Sequence, residues 1–435
     1  MSSPNSAATA GRRLQLRLLA AAVVLYFFAN LHRVAVPGSI FDELQMSFAA
    51  SASAVAMTGA VFMYAYALIQ LLVGLLADRY GGSRVIMGGS LLFTAGALLF
   101  PLSPGLGWLY FSRALIGVGC GSIYLCLVKE TDRLFPHNFT GVLGWIVGIG
   151  YIGGVAGALP LGMAAGEIGW RWAFGILGAL LALTLLVYWK CYQKVPREVV
   201  SGGKLSLTPI VVTLRNQLNL RLLGVLAGGF GVYYAMLTVV GKKFLEDFCG
   251  ASPAAAGACA SLMVIVSALT NVITGGFGRY IGNRRLPLFR VARFLPVVSS
   301  AAMAGAVLLG YRASAWHMAM LLLFAVSAGF NPIFMALCRE LNPPRQVGAA
   351  ASLLNAAAYI GVAVVGNLAG MLMEFCGGSA AVHTADKVIY PASSYLAVLL
   401  LSLAVAAGAC RLGRHIPETF GKNISGESST LSPQK

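Results

Sequence analysis

The stretch GLLADRYGGSR, Gly74 to Arg84, sets Asp78, Arg79 and Arg84 within seven residues of one another, in a chain where charged residues are only 10% of 435. Its flanks explain the concentration. Ser51 to Ala77 and Val85 to Ser103 contain no Asp, Glu, Lys or Arg, and each is long enough to cross a hydrocarbon core of about 30 Å as a helix. The charged stretch is then a turn between two membrane spans. The whole chain follows the same pattern, with 58% hydrophobic residues and 52 glycines, and apolar runs too long and too numerous for one water-soluble core.

Working outward from the turn, twelve apolar blocks of spanning length are found, near 14–36, 51–77, 85–103, 107–128, 141–163, 171–189, 222–241, 253–277, 287–309, 315–337, 348–373 and 391–410. This predicts an all-α membrane protein of twelve helices. Arg12, Arg13 and the apolar run to Leu31 have the shape of a secretory leader, but His32 and Arg33 stand where a small-residue cleavage site belongs, so the run is read as an uncleaved first span.

The net charge of +17 raises the question of nucleic acid, and the placement of the charges answers it. With the N-terminus inside, the inner loops and tails, with the span ends that adjoin them, hold 24 of the 31 Lys and Arg. Arg171, Lys242, Lys243, Arg312 and Lys387 fall in outer loops, while Arg33 and Arg113 fall within spans. That asymmetry is the positive-inside signature, and it accounts for the basicity without nucleic acid. Both termini are expected in the cytoplasm, and the setting expected is a bacterial inner membrane. The 14 carboxylates divide evenly between inner and outer connections, with none inside the assigned blocks.

The longest hydrophilic connection, 190–221, carries Pro196, Gly202, Gly203 and Pro209, a linker composition. It divides the chain into a first six-span half (1–189), a second (222–410) and a tail (411–435). The halves echo each other. ADRYGGSR at 77–84 matches FGRYIGNR at 277–284 in Arg, Tyr, Gly and Arg, and GYIGG at 150–154 matches AYIGV at 358–362. Both matches fall at corresponding places, which argues for duplication.

With these residues in view, the sequence resembles the major facilitator superfamily, whose fold is two pseudo-symmetric six-helix bundles. GLLADRYGGSR fits that family's loop signature between spans two and three. RALIGVGCG at 113–121 is similar to its fourth-span pattern of an arginine followed by spaced glycines, and GVAGALPLG in span five fits in part the signature of drug-exporting members. The resemblance implies alternating access without an enzymatic activity or a cofactor. It also implies a latch at the inner ends of the spans, built from Asp78, Arg79, Arg84 and Glu130. In the second half Gly278 stands where the first has Asp78, leaving Arg279, Arg284 and Glu340. The plainer alternative is a topology signal alone.

An ionisable side chain at membrane depth costs roughly 3 kcal/mol on insertion scales and is a functional candidate for that reason. Arg33 lies sixteen residues beyond Arg17, about 24 Å along a helix. Tyr26, Asn30 and Arg33 share one face. Arg33 either lines a cavity or snorkels to the headgroups. The resemblance favours the first, since organophosphate and sugar-acid carriers of the superfamily hold their anions with an arginine in this part of span one. Organophosphate carriers add a second arginine in span seven, where this chain has Tyr233 and Tyr234, so a carboxylate suits better than a phosphate dianion. His32 stands where sugar-acid symporters have an Asp, and it is the proton-coupling candidate, with a buried structural histidine as the alternative. Arg113 is either a second coupling residue or an interfacial anchor. Further cavity candidates, each equally able to bridge helices, are Tyr66 and Gln70, Ser267 and Asn271, and Asn355 and Tyr359.

The eight Cys show no C-x-x-C and no adjacent His, so no metal site is read; Cys249 and Cys376, both near the outer face, can pair or stay free. No G-x-x-x-x-G-K-[ST] and no H-E-x-x-H occurs, which argues against an ATP-driven pump and a metalloprotease. The expected function is secondary transport of a small organic anion, a carboxylate or sugar acid, imported with protons down their gradient by a monomer in the lipid bilayer. The alternatives are an exporter of drugs or amphiphilic metabolites and a transport-like membrane sensor.

Overall fold

A computed structural model describes residues 4–135, 139–195, 208–277, 284–343, 346–377, 380–384 and 387–424 of the chain. Twelve helices have the length and apolarity of membrane spans: α1 (Arg12–Ala35), α2 (Ala52–Ala77), α3 (Gly82–Leu102), α4 (Leu106–Leu134), α5 (Val142–Ile168), α6 (Trp170–Tyr192), α7 (Gln217–Asp247), α8 (Pro253–Gly275), α9 (Leu286–Leu308), α10 (Ser314–Glu340), α11 (Val347–Gly377) and α12 (Ala392–His415). A two-stranded ribbon, β1 (Val382–His383) with β2 (Val388–Ile389), precedes α12. Leu68, Val272 and Phe375 lie more than half exposed. On a water-soluble protein such residues would be a liability; on a span they meet lipid.

Several helices, α7 above all, run past their apolar blocks, and this corrects the sequence reading in one respect. Helix α7 continues beyond residue 241 to Asp247 and carries Lys242, Lys243, Glu246 and Asp247 on its last turns. The spans therefore do hold carboxylates, at their ends. The chain falls into two compact units, 1–35 with 64–206 and 36–63 with 207–435. The segment 36–63, placed by sequence in the first half, packs with the second unit.

In the first unit, the YGGSR turn has a defined physical task. Gly81 takes φ +88°, a left-handed value open to glycine, and so ends α2 and starts α3. At Gly82 a Cβ would lie 2.6 Å from Oε1 of Glu130. Its absence lets that carboxylate accept the Ser83 amide at 3.1 Å and satisfy one open donor of the α3 N-terminus. Glu130 also accepts from Arg133 at 2.6 Å. The fourth-span glycines serve close packing as well: Gly119 faces the backbone of Gly89 and Phe93 on α3, and Gly121 faces Tyr66 and Ile69 on α2.

GYIGG and AYIGV also acquire a reason. On α5, Gly153 and Gly157 lie against the carbonyls of Phe27 and Leu31 of α1; on α11, Gly361 lies against the carbonyl of Ala227 on α7. The shared glycine lets the corresponding helix pair of each unit meet backbone to backbone. In the second unit a core of Leu222, Val225, Phe289, Phe334, Leu337 and Leu354 fills the end nearest the basic connections, and Ile416, just past α12, packs into it.

The counterpart of the Glu130 arrangement is built differently in the second unit. Glu340 pairs with Arg285 at 2.8 Å and accepts from Thr419 Oγ1 at 2.5 Å. The capping task passes to Glu418, whose carboxylate accepts the amides of Arg285 at 2.7 Å and Leu286 at 2.9 Å at the start of α9. Asn423 then donates to the carbonyl of Asn342 at 2.8 Å, and the Ile424 amide donates to the carbonyl of Glu340. The residues after α12 are thus a docked strap. Burial raises the Glu418 pKa, but the amides of Arg285, Leu286, Phe420 and Thr419 outweigh it and hold the carboxyl below its usual range. A lowered folded-state pKa gives stability that is present above the unfolded pKa and lost as pH falls through the folded one. Acidification through the carboxylate range is expected to free 416–424 before the spans unfold, read as trypsin cleavage after Lys422. Glu418→Gln should show that cleavage already at neutral pH.

Candidate functional site

Helix α1 turns two sides of its upper half to different surroundings within the first unit. On one side Tyr26 stacks on Tyr124 at 5.4 Å between ring centroids, and Asn30 donates to the Tyr26 carbonyl at 2.9 Å. Gly150 of α5 keeps this face close, since a Cβ there would crowd the Tyr26 ring and lie 2.8 Å from Asn30 Nδ2. A turn above, the Arg33 guanidinium lies over the Tyr66 ring at 5.2 Å. Arg33 is 6% exposed, too enclosed for snorkelling to a headgroup. The face foreseen from the i, i+4, i+7 spacing is present, and Tyr124 joins it. The Tyr124 contribution was not foreseen, because its partner Tyr26 lies on another helix about a hundred residues away in the chain.

His32 points elsewhere. Its ring is fully buried between Phe93 of α3 and Phe174 of α6, at 5.4 and 5.7 Å, and neither ring nitrogen has a hydrogen-bond partner among the described residues. Arg113, also fully buried, donates from Nη1 to the His32 carbonyl at 3.2 Å. That burial does not suit an interfacial anchor, and it places Arg113 behind α1. Gln70 bridges helices: its Nε2 donates to the Gly121 carbonyl of α4 at 2.7 Å.

In the second unit the candidates gather around one aromatic group. Phe230 lies 4.9 Å from Tyr234, 6.0 Å from Tyr233 and 6.1 Å from Tyr359, which brings the α7 and α11 candidates together. Asn355 is half-buried one turn before Tyr359. On α8, Ser267 is buried and Asn271 is half-buried.

The latch residues divide. Glu130 and Glu340 are buried and engaged as described. Arg79 is exposed beside its neighbour Tyr80, and the exposed Arg84 donates to the Tyr192 hydroxyl at 3.4 Å. The Asp78 side chain and the whole of Arg279 lie outside the described residues. Arg284, expected to serve the second half, is exposed, and the adjacent Arg285 makes the bonds to Glu340. Sequence alignment of the two turns could not separate adjacent arginines. All eight cysteines are free, so Cys249 and Cys376 do not pair.

The largest group of buried charges was not foreseen. At the end opposite the basic connections, Lys243 is 2.5 Å from Asp42 and 3.7 Å from Asp247, and Tyr395 donates to Asp247 at 2.6 Å. The i, i+4 spacing in KKFLED at 242–247 carried the signal, hidden by ending the span at 241.

A model of the Major Facilitator Superfamily matches residues 18–366. The chain is similar over 385 residues, at 23% identity, to an uncharacterized transporter, YybO, of Bacillus subtilis, covering 83% of this chain and 87% of that one. It is 31% identical over 145 residues to a 3-(3-hydroxy-phenyl)propionate transporter of Escherichia coli, which is 32% of this chain and 34% of that one. Its fold is that of a bacterial homolog of the human lysosomal transporter Spinster, with TM-score 0.71, 16% identity and full coverage of both chains. A nucleoside transporter also shares it, with TM-score 0.70, 11% identity, and 92% and 98% coverage. The chain belongs to the major facilitator superfamily and is a multi-pass membrane transporter, not an enzyme.

Proposed function

We propose that this transporter carries a small organic anion, a carboxylate or sugar acid, and takes it up with protons by alternating access, its basic connections facing the cytoplasm across a bacterial inner membrane. The observation that carries the reading is Arg33, a guanidinium enclosed within the first unit on a helix face of Tyr26 and Asn30, over the Tyr66 ring. A planar fork shielded from water is the side chain best suited to grip a carboxylate. The cargo named for the Escherichia coli relative, an aryl-substituted propionate, is itself a carboxylic acid. The test is counter-flow of radiolabelled acids in proteoliposomes, with acids first chosen by thermal protection of the purified protein. Counter-flow by amphiphilic cations instead of acids would overturn the reading in favour of an exporter, and ligand protection without any counter-flow would favour a sensor.

For the proton, the proposed residue is His32, in a state of the cycle that opens its packing between Phe93 and Phe174 to water. An imidazole changes charge near neutral pH. His32→Gln is expected to flatten the pH dependence of uptake between about pH 5 and 8, with substrate affinity retained. An unchanged profile in proteoliposomes removes His32 from coupling.

A further inference from the structure

The charged group at the far end of α7 lies within the second unit and ties three segments together. The short helix Phe41–Phe48, which follows α1, brings Asp42 and Glu43. Helix α7 brings Lys242, Lys243, Glu246 and Asp247, and the stretch leading into α12 brings Lys387, Tyr390 and Tyr395. The seam is tight and polar. A Cβ at Gly38 would lie 2.8 Å from the Thr238 carbonyl, Lys242 Nζ donates to the Ser39 carbonyl at 3.4 Å, and Gln45 donates to the Tyr390 hydroxyl at 2.9 Å. Just before the charges, α7 opens into a wide π turn, Met236–Val240, a feature often found where a helix has a functional task.

The charges are not equally served. Among the described residues Asp42, Glu246 and Asp247 meet three ammonium groups, Lys242, Lys243 and Lys387, and Glu43 follows Asp42 on the short helix. Asp42 has Lys243 at 2.5 Å. Asp247 has the Tyr395 hydroxyl at 2.6 Å, the Tyr390 amide at 3.1 Å, and Lys243 and Lys387 within 3.9 Å. Glu246 is served least: its side chain is 4% exposed, Lys242 is no closer than 3.9 Å, and Oε1 accepts no hydrogen bond among the described residues. The charged groups acting on it are Lys242, Asp42, Lys387 and Lys243. Of the titratable groups on the packed helices beyond these, His317 of α10 is turned to the Tyr311 carbonyl at 2.8 Å, Glu374 of α11 accepts from Ser53, and Arg312 lies over Phe248.

We propose that Glu246 is a proton-binding site, and that its protonation relieves the buried cluster and holds the connection 36–51 docked on α7. A carboxylic acid there needs no counter-ion, whereas a carboxylate is enclosed with no hydrogen bond to Oε1 and Lys242 no closer than 3.9 Å, a state that burial penalises. Undocking of 36–51 exposes the group to water and removes the penalty. The docked form therefore binds the proton more tightly. By linkage, the proton's support for docking is full below the pKa of the undocked carboxyl and is lost as pH rises through that of the docked one. Burial raises the neighbouring Glu43 carboxyl, so Glu43 is a competing seat for the proton and is tested beside Glu246.

The experiment is amide hydrogen exchange of residues 41–48 in the purified, substrate-free protein, corrected for the intrinsic pH dependence of exchange, across about pH 5 to 8, where shielded carboxyls titrate. Protection of the wild type is expected to fall with rising pH by up to about tenfold per unit, the limit for one linked proton. Glu246→Gln should keep the acid-form protection at every pH, and Glu43→Gln should keep the transition. Lys387→Met, a change at a partly exposed side chain, removes one compensating cation and should move the midpoint up by roughly half a unit. A pH-independent wild type, a transition that survives Glu246→Gln, or one abolished by Glu43→Gln alone overturns the proposal. Because no substrate is present, Arg33→Ala should show the wild-type transition, so failure here is separate from failure of the anion reading.

Discussion

Arg33→Ala is expected to insert and fold and yet fail to bind the acid that protects the wild type from thermal unfolding. The expectation follows from where the guanidinium lies. It is enclosed within the first unit and rests over the Tyr66 ring at 5.2 Å, so its bonds to an anion would form in a shielded setting where charge-assisted hydrogen bonds are strong. Each such bond lost costs roughly 1.5 to 3 kcal/mol, or about tenfold to a hundredfold in affinity, and a carboxylate gripped by both arms of the fork loses two. Arg33→Lys keeps the charge and the ring contact but has one ammonium in place of a planar pair of donors. Its binding should be weakened by at least one such step without being abolished. The check is the dissociation constant of the protecting acid for each variant, with thermal stability of the unliganded proteins as the control for folding. Wild-type-like uptake by Arg33→Ala would remove the anion hypothesis.

The order of effect between Ala and Lys also separates two roles for Arg33. A residue that only supports packing beside Tyr66 would lose similar stability in both variants and little affinity in the Lys variant. A residue that grips cargo loses affinity in both while the unliganded proteins melt alike.

Much of this arrangement was legible in the sequence because membrane spans are read from composition. A lipid core tolerates so few charges that twelve apolar blocks are marked off by their interruptions, and α1 to α12 follow them. The face of Tyr26, Asn30 and Arg33 was legible because helical spacing puts such residues on one side. Where the reading fell short, the reason was the ends of helices. A span does not stop where its apolar run stops: α7 carries Lys242 to Asp247 beyond residue 241 because those four charges pair along the helix and with Asp42. Partners brought from far along the chain were equally hidden. Glu418 caps α9 from 132 residues away, and nothing local in IPETFG announces it.

The duplicated glycine of span eleven carries the second large expectation: Gly361→Leu should prevent the second unit from assembling, with loss of folded protein from the membrane. At Gly361 the carbonyl of Ala227 on α7 stands inside the space a Cβ needs, and the Cβ that Gly231 lacks would lie 2.7 Å from the Gly361 carbonyl. The obstruction is backbone on both sides, so no side chain can rotate away. The helices must separate, and with them the Phe230, Tyr234 and Tyr359 rings that pack across the same pair. Overpacking of a core ordinarily costs about 1 to 3 kcal/mol when side chains can yield; where only backbone can move, the cost is expected at or above that range. Gly361→Ala should show a milder form of the same defect, and Gly366→Ala, on the same helix with Val239 Cγ2 as its nearest neighbour at 3.6 Å, should be tolerated. The measurement is the monodisperse fraction after detergent extraction. The equivalent substitution Gly153→Leu, which meets the Phe27 carbonyl of α1, should fail in the same way if GYIGG and AYIGV repeat because each unit needs one backbone-to-backbone crossing. Tolerance of Leu at both positions would leave the repeat without a structural cause.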